Sequence, residues 1–262
     1  MHEVGRNLKM KIFIGFVIFG YLAICVLFYF FQRSFLYFPQ PAGYANEITT
    51  TFINNGQKLT GWVLNPGQKN LLLYYGGNAS AIENSIDFFN QVAPQHTVYL
   101  IPYRGYGNNK GTPTEEALYS DALHIYEHLV NNYDEVTLMG RSLGAGVATF
   151  VAANRKINKL ILVTPFDSIV NVAKTHYPFL PVSLLATDQF LSSERASKIT
   201  AKSLILIAEK DQIIVRERSE VLASQFDSNL LTKVIVPGAD HNDISLHSEY
   251  IESVREFLKV AE

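Results

Sequence analysis

Residues 135–146 read Glu135-Val136-Thr137-Leu138-Met139-Gly140-Arg141-Ser142-Leu143-Gly144-Ala145-Gly146. Residues 136–139 carry no charge and suit a short strand buried on both faces. Residues 144–153 are small or apolar and read as a helix. Between the two, the pattern Gly-x-Ser-x-Gly holds a serine in a strand-to-helix turn. Such a turn exposes the serine oxygen and strains its backbone, and flanking glycines remove Cβ atoms where strand and helix crowd together. The helix start also favours negative charge above the serine. In that setting Ser142 is a candidate nucleophile. The bare pattern is frequent by chance, and a structural Gly/Ser turn is the plain alternative.

The same strand-then-helix grammar runs along the chain. Short apolar runs at 71–75, 97–101, 136–139, 159–163, 203–208 and 232–236 alternate with helical patterns. Ser80 and Glu83 form a capping-box pattern at a helix start. Thr112-Pro113-Thr114-Glu115 opens another, with proline at the first helical position. A helix follows the 203–208 run to about residue 226. The last helix carries Ile244, Ile251, Val254, Phe257 and Leu258. Upstream, residues 47–54 and 58–65 flank Asn54-Asn55-Gly56-Gln57, a hairpin signal at a sheet edge. The expected fold class is α/β: a mostly parallel sheet with helices on both faces. Residues 165–200, with Pro165, Pro178 and Pro181, break the alternation and read as a small cap insertion over the sheet.

The chain has 262 residues, enough for one sizeable domain. Net charge is −2, and the cations Arg6, Lys9, Lys11 and Arg33 fall in the first 33 residues, which leaves the body acidic. An acidic body gives no electrostatic footing for nucleic acid. With one cysteine, Cys25, an intramolecular disulfide is excluded. No His/Cys spacing suits zinc, and neither metal nor cofactor is implied.

Residues 12–31 are twenty uncharged residues, IFIGFVIFGYLAICVLFYFF. As a helix they match a bilayer core of roughly 30 Å, and the aromatic end suits an interfacial belt. The expected organisation is residues 1–11 as a cytoplasmic N-terminus, 12–31 as a transmembrane anchor, 32–46 as an extended linker and 47–262 as the catalytic domain with its cap. The basic residues ahead of the apolar run place the body on the non-cytoplasmic side, periplasmic in a bacterium. A cleaved signal peptide is the rival reading, but bulky aromatics stand where a small-residue cleavage site belongs. Leu22-Ala23-Ile24-Cys25 is only a faint lipoprotein box, with Ile24 at a small-residue position.

In an open parallel sheet, functional groups gather outside the carboxyl ends of the strands. Asp211, in Ala208-Glu209-Lys210-Asp211-Gln212, is placed to orient a histidine, with Glu209 the weaker candidate and a helix cap the plain alternative. His241, in Gly238-Ala239-Asp240-His241, is placed to take and return the Ser142 proton. His124, His128 and His247 lie in expected helices, His96 precedes a strand, and His176 sits in the cap. Oxyanion donors are expected from the amide of Leu143 and that of Asn78, in the glycine-rich loop Tyr75-Gly76-Gly77-Asn78-Ala79-Ser80. Asn78-Ala79-Ser80 is also a glycosylation sequon, but a glycan there would block the site. Tyr177, Phe179 and Leu184 in the cap are candidate substrate contacts, as are Leu180 and Leu185. Their alternative is packing of the cap onto the body.

The order Ser142, Asp211, His241 matches the α/β-hydrolase architecture. The body, about residues 35–260, resembles membrane-anchored α/β-hydrolases of the serine-aminopeptidase-like, depalmitoylase-related group. The motifs are Phe35-Leu36-Tyr37-Phe38-Pro39, Gly77-Asn78-Ala79, Tyr103-Arg104-Gly105-Tyr106-Gly107 with Gly111-Thr112-Pro113-Thr114-Glu115, Gly140-Arg141-Ser142-Leu143-Gly144, Asp211 and Asp240-His241. Many relatives have histidine where Gly76 stands and aspartate where Pro102 stands. The resemblance implies a serine hydrolase with a Ser-Asp-His triad acting through an acyl-enzyme. The expected substrate is a small-molecule or acylated ester or thioester, with an amide less favoured. The contrasting expectation is a non-catalytic fold serving as a membrane-tethered binding module.

Overall fold

The computed structural model describes residues 2–43 and 45–259. Met1, Tyr44 and residues 260–262, which belong to the N-terminal, linker and catalytic-domain ranges above, lie outside the described residues. Helix α1 (His2–Leu36) leads into strands β1 (Ile48–Asn54), β2 (Gln57–Leu64) and β3 (Asn70–Tyr75). A 3-10 turn (Ile82–Ser85), α2 (Ile86–Val92), β4 (His96–Leu100), α3 (Glu115–Leu129), β5 (Glu135–Arg141), α4 (Leu143–Asn154) and β6 (Lys159–Val163) follow. The cap supplies α5 (Ile169–His176), α6 (Val182–Leu185) and α7 (Ser193–Ala196). The chain ends with β7 (Lys202–Ala208), α8 (Arg216–Ala223), β8 (Leu231–Val236), a 3-10 turn (Ile244–Leu246) and α9 (Ser248–Leu258).

Among the described residues the strands form one sheet in the order β1-β2-β4-β3-β5-β6-β7-β8. β1 and β2 make the edge hairpin, with Asn55 (φ 49°) and Gly56 (φ 77°) both left-handed, as a tight Asn-Gly turn requires. β2 meets β4 antiparallel, and every pairing from β4 to β8 is parallel. Side chains alternate between two cores. Leu71, Leu73 and Tyr75 of β3 join α3, α4 and α8, while Leu72 and Tyr74 join α2 and α9. β4 lies on one side of β3 and β5 on the other, so the winding direction reverses between β3 and β5. That reversal opens a crevice at their carboxyl ends.

Several local expectations are corrected. Helix α1 runs through Leu36, so residues 32–36 are helical rather than linker; the first proline, Pro39, comes after them. The Ser80/Glu83 capping box does not form, because the Glu83 carboxylate accepts from the Gly43 backbone N–H instead. Thr114, not Pro113, is adjacent to the first turn of α3: it is the cap and accepts from Ala117 N at 3.1 Å, so Pro113 lies outside the helix. Ile244 belongs to a 3-10 turn, and His247 falls between that turn and α9 rather than inside a helix. His96 is the first residue of β4 and is buried. Within 165–200, Phe166, Phe190, Ala196 and Ile199 join the main core, so only the middle of this segment stands out from the body. Lys9–Leu36 is long and apolar enough to cross a membrane, a property that membrane anchors and signal sequences share.

Candidate active site

Two glycines shape the elbow between β5 and α4. A Cβ on Gly140 would stand 2.2 Å from the Gly144 carbonyl oxygen, and one on Gly144 2.0 Å from that of Tyr75. Both are backbone contacts with no soft neighbour to yield. Helix α4 therefore approaches both β5 and the end of β3 more closely than any side chain permits. Between the two glycines Ser142 is held at φ 53°, ψ −118°, a conformation that L-residues avoid, with its N–H donated to Val163 O at 2.9 Å. Leu143 is the first residue of α4, where helical N–H groups have no carbonyl of their own to bind.

Asp211 follows β7 and His241 follows β8. Asp211 Oδ1 accepts from the N–H groups of Ile213 (2.9 Å) and Ile214 (2.7 Å), which fixes the carboxylate. Its Oδ2 lies 2.7 Å from His241 Nδ1, and His241 Nε2 lies 3.0 Å from Ser142 Oγ. With Nδ1–H directed at the carboxylate, the Nε2 lone pair is left to receive the serine proton. Asp211 and His241 are buried and Ser142 is half-exposed, so the line of three opens to solvent only at its serine end. Glu209 is not part of it; its carboxylate accepts from Gly238 N at 2.7 Å.

Sequence reasoning passed over the groups that brace these residues. Arg141, the residue before the serine, donates to His241 O at 2.9 Å and so ties the histidine loop to the serine turn. Asp240 accepts from His241 N, and Asp243 from Asp240 N at 2.7 Å. The loop after β3 runs beside the elbow: a Cβ on Gly77 would lie 3.9 Å from Ser142 Cβ. Gly76 has no side chain to brace this loop. Tyr103 donates to Gly76 O at 2.9 Å, and Tyr106 to Asn78 Oδ1 at 2.6 Å. Burial pushes both phenols well above their ordinary pKa, with neighbouring tyrosines adding to the effect at Tyr103, so both stay protonated donors. Asn78 Oδ1 also accepts from Phe38 N at 3.0 Å, and Asn78 Nδ2 donates to Leu36 O. The end of α1 is thereby joined to the loop expected to supply the second oxyanion amide. The clue lay in the Tyr-Arg-Gly-Tyr-Gly motif, whose Arg104, next to Tyr103, pairs with buried Asp121 at 2.7 Å.

The cap candidates fall in several surroundings. Leu184 is 85% exposed and touches none of this machinery. Tyr177 and Phe179 face α1, with the Tyr177 ring 6.0 Å from that of Phe28. Leu180 is buried with Cys25, Val170 and Val182, with Leu185 packed at the margin of this cluster. His176 Nε2 lies 2.9 Å from Ile213 O. A cavity of about 180 Å³ separates α1 from α5, lined by Phe28, Phe35, Leu36, Ile169, Val172 and Tyr177 among others. Leu36 belongs both to this cavity and, through its carbonyl, to the bond with Asn78. Among the described residues no group of three or more His, Cys, Asp or Glu side chains converges as metal ligands would.

A family model described as serine hydrolase (FSH1) matches residues 61–242. An uncharacterized Mycobacterium tuberculosis protein is 32% identical over 250 residues, covering 87% of this chain and 87% of its own. The alpha/beta hydrolase domain-containing protein aho-3 of Caenorhabditis elegans is 26% identical over 199 residues, covering 74% of this chain and 58% of its own. Among solved structures, an esterase of Pyrococcus furiosus (Pf2001) is similar with a TM-score of 0.69 at 15% identity, over 85% of this chain and 98% of that one. Est1E from Butyrivibrio proteoclasticus, with ferulic acid bound, is similar at 0.64 and 18%, over 80% and 97%. At these identities the likeness is one of fold, and the fold is the α/β-hydrolase fold.

Proposed function

The chain belongs to the FSH1 serine hydrolase family, and on that premise we propose that it cleaves carboxylic esters or thioesters, with amides less favoured, through an acyl-enzyme on Ser142. Ser142 Oγ attacks the carbonyl carbon while its proton passes to His241 Nε2. Asp211 holds the imidazole and stabilises its charge. The amides of Leu143 and Asn78 receive the oxyanion. Collapse expels the alcohol or thiol, which takes the proton from His241. Water then attacks the acyl-enzyme with His241 as base, and the carboxylic acid leaves. The observation that carries this reading is the unbroken line Asp211–His241–Ser142 at 2.7 and 3.0 Å.

The acyl group is assigned to the cavity between α1 and α5, with Tyr177 as part of its wall; Phe179 and Leu184 take no part in it. α1 serves as a membrane anchor with its basic N-terminus cytoplasmic and the hydrolase body on the other side. The test is hydrolysis of p-nitrophenyl esters of graded acyl length by the full-length protein in detergent. Hydrolysis lost in Ser142→Ala is expected. Folded wild type inert toward every ester and thioester tried would overturn the reading and favour a binding module.

A further inference from the structure

The cap does not ride free above the anchor. One stripe of α1, at helical spacing, is committed to it. Tyr21 donates its hydroxyl to Phe179 O at 3.0 Å, and Cys25 is buried against Val170, Leu180 and Val182. Gln32 donates to Leu185 O at 3.0 Å and accepts from Thr187 N at 2.8 Å. Arg33 pairs at 3.0 Å with Asp188, a buried carboxylate that also accepts from Tyr37. Removing α1 would strip that buried carboxylate of its cation, so α1 belongs to the folded protein.

This contact fixes a depth. The uncharged stretch of α1 lies between Lys11 and Arg33, roughly 30 Å of helix at 1.5 Å per residue, which matches a bilayer core. Tyr21 is near its middle, about 18 Å along the axis from Arg33. The part of that stretch below Tyr21 is too short to span a core by itself. Extending it backwards would draw in Lys11, Lys9 and Arg6, at about 2.5–3.5 kcal/mol for each charge at the centre. Any placement that lets α1 cross therefore carries the backbone of Phe179 below the surface as well.

The cap is built for that depth. Residues 177–187, Tyr-Pro-Phe-Leu-Pro-Val-Ser-Leu-Leu-Ala-Thr, carry no charge, and they lie between Lys174 and Asp188. Phe179 is 64% exposed and Leu184 85%, an apolar surface that water disfavours. Most N–H groups of residues 177–187 are paired or absent, as hydrocarbon demands, with Phe179 and Ser183 the exceptions. Leu180 N donates to Tyr177 O, Leu184 N to Pro181 O and Ala186 N to Val182 O, and Pro178 and Pro181 have no N–H to satisfy. The carbonyls of Phe179 and Leu185 receive Tyr21 and Gln32 of α1. Between tip and helix lies a groove of about 410 Å³, lined by Ile24, Leu27, Phe28, Phe31, Phe179 and Leu180 with Phe35 and Tyr177.

We propose that cap residues 177–187 are inserted in the membrane beside α1, in contact with the acyl chains of bilayer lipids, so that the groove opens sideways into the hydrocarbon layer. This rests on the reading of α1 as a membrane anchor. The test uses the full chain carrying Cys25→Ala, with an environment-sensitive NBD label on one introduced cysteine, in phosphatidylcholine vesicles with or without doxyl-labelled lipid. The label positions are Leu184→Cys, Phe13→Cys in α1 and Gln225→Cys beyond the far end of the sheet. Reaction of Ser142 with a fluorophosphonate serves as the check of folding. Blue-shifted emission lost to doxyl lipid at 184 and 13, and neither effect at 225, is expected. Lipid quenching at 13 with a water-like spectrum at 184 would overturn the proposal and leave the anchor standing. Water-like spectra at both positions would overturn both. The catalytic reading stands apart from all three outcomes.

Discussion

The elbow after β5 and the loop after β3 lie at the ends of neighbouring parallel strands and border the same crevice, yet they are held in opposite ways. The elbow is a construction of backbone on backbone. Gly140 lets β5 and α4 close on each other, Gly144 lets α4 close on the end of β3, and Ser142 between them holds a strained backbone. The loop from Gly76 to Ser80 is held from far along the chain: by Tyr103 and Tyr106, and by Leu36 and Phe38 at the end of α1. The candidate nucleophile is thus set by backbone packed against backbone at the ends of β3 and β5, whereas the loop proposed to supply the oxyanion donor depends on how α1 meets the body.

Four variants break or sharpen that contrast. The largest loss is expected for Asp211→Asn, which keeps the shape but leaves His241 in the wrong tautomer, at a cost on the order of 10⁴ in kcat. Steady-state ester hydrolysis with an unchanged Tm would show it. Next is Gly144→Ala. Its Cβ would collide with the Tyr75 carbonyl, and backbone must move at a cost of about 3 kcal/mol. A lower Tm and denaturation midpoint, with activity lost, are expected; a Tm within error of wild type would mean that the close approach of α4 to β3 does not hold the elbow.

Asn78→Ala removes three bonds to the oxyanion loop but not its amide. The expected fall in kcat is roughly ten- to a hundred-fold with KM little changed, less than the 10²–10³ that loss of a whole oxyanion donor costs. Unchanged kcat would detach α1 from the site. The smallest effect lies at the opposite end of the sheet. Burial, with the Lys159 charge second, pushes the His96 imidazole down to about 4 from 6.5, and its Nδ1 has no partner. The unfolded chain takes up this proton first. The His96 contribution is therefore whole above about pH 6.5 and is lost as pH falls toward 4, about 1 kcal/mol by pH 5.5. The Tm difference between pH 7 and 5.5 should shrink in His96→Leu while ester hydrolysis at pH 7 is retained. An unshrunken difference would assign the acid limb elsewhere.

The same contrast separates what the sequence could tell from what it could not. The parallel strands were legible because buried strands read as unbroken apolar runs, and 159–163 is reproduced residue for residue in β6. The meeting of Ser142, Asp211 and His241 was legible because strand ends converge in this topology. Local patterns misled where a distant group competed: Glu83 matches a capping box but is taken by Gly43. For the apolar cap residues composition leaves substrate contact and packing open, since it cannot tell a site from a helix face; Tyr177 and Phe179 turn toward α1 while Leu184 turns outward. The bracing by Arg141 left no period or spacing to read, and that by Tyr103 and Tyr106 showed only as a motif without a role, since both depend on side chains meeting across loops.

The most direct measurement is the mass of the adduct formed when the full-length protein reacts with a fluorophosphonate, mapped to a peptide. The account predicts one adduct, on the Ser142 hydroxyl, absent in Ser142→Ala and strongly slowed in His241→Ala. An adduct on another serine, or none on folded wild-type protein, would contradict it.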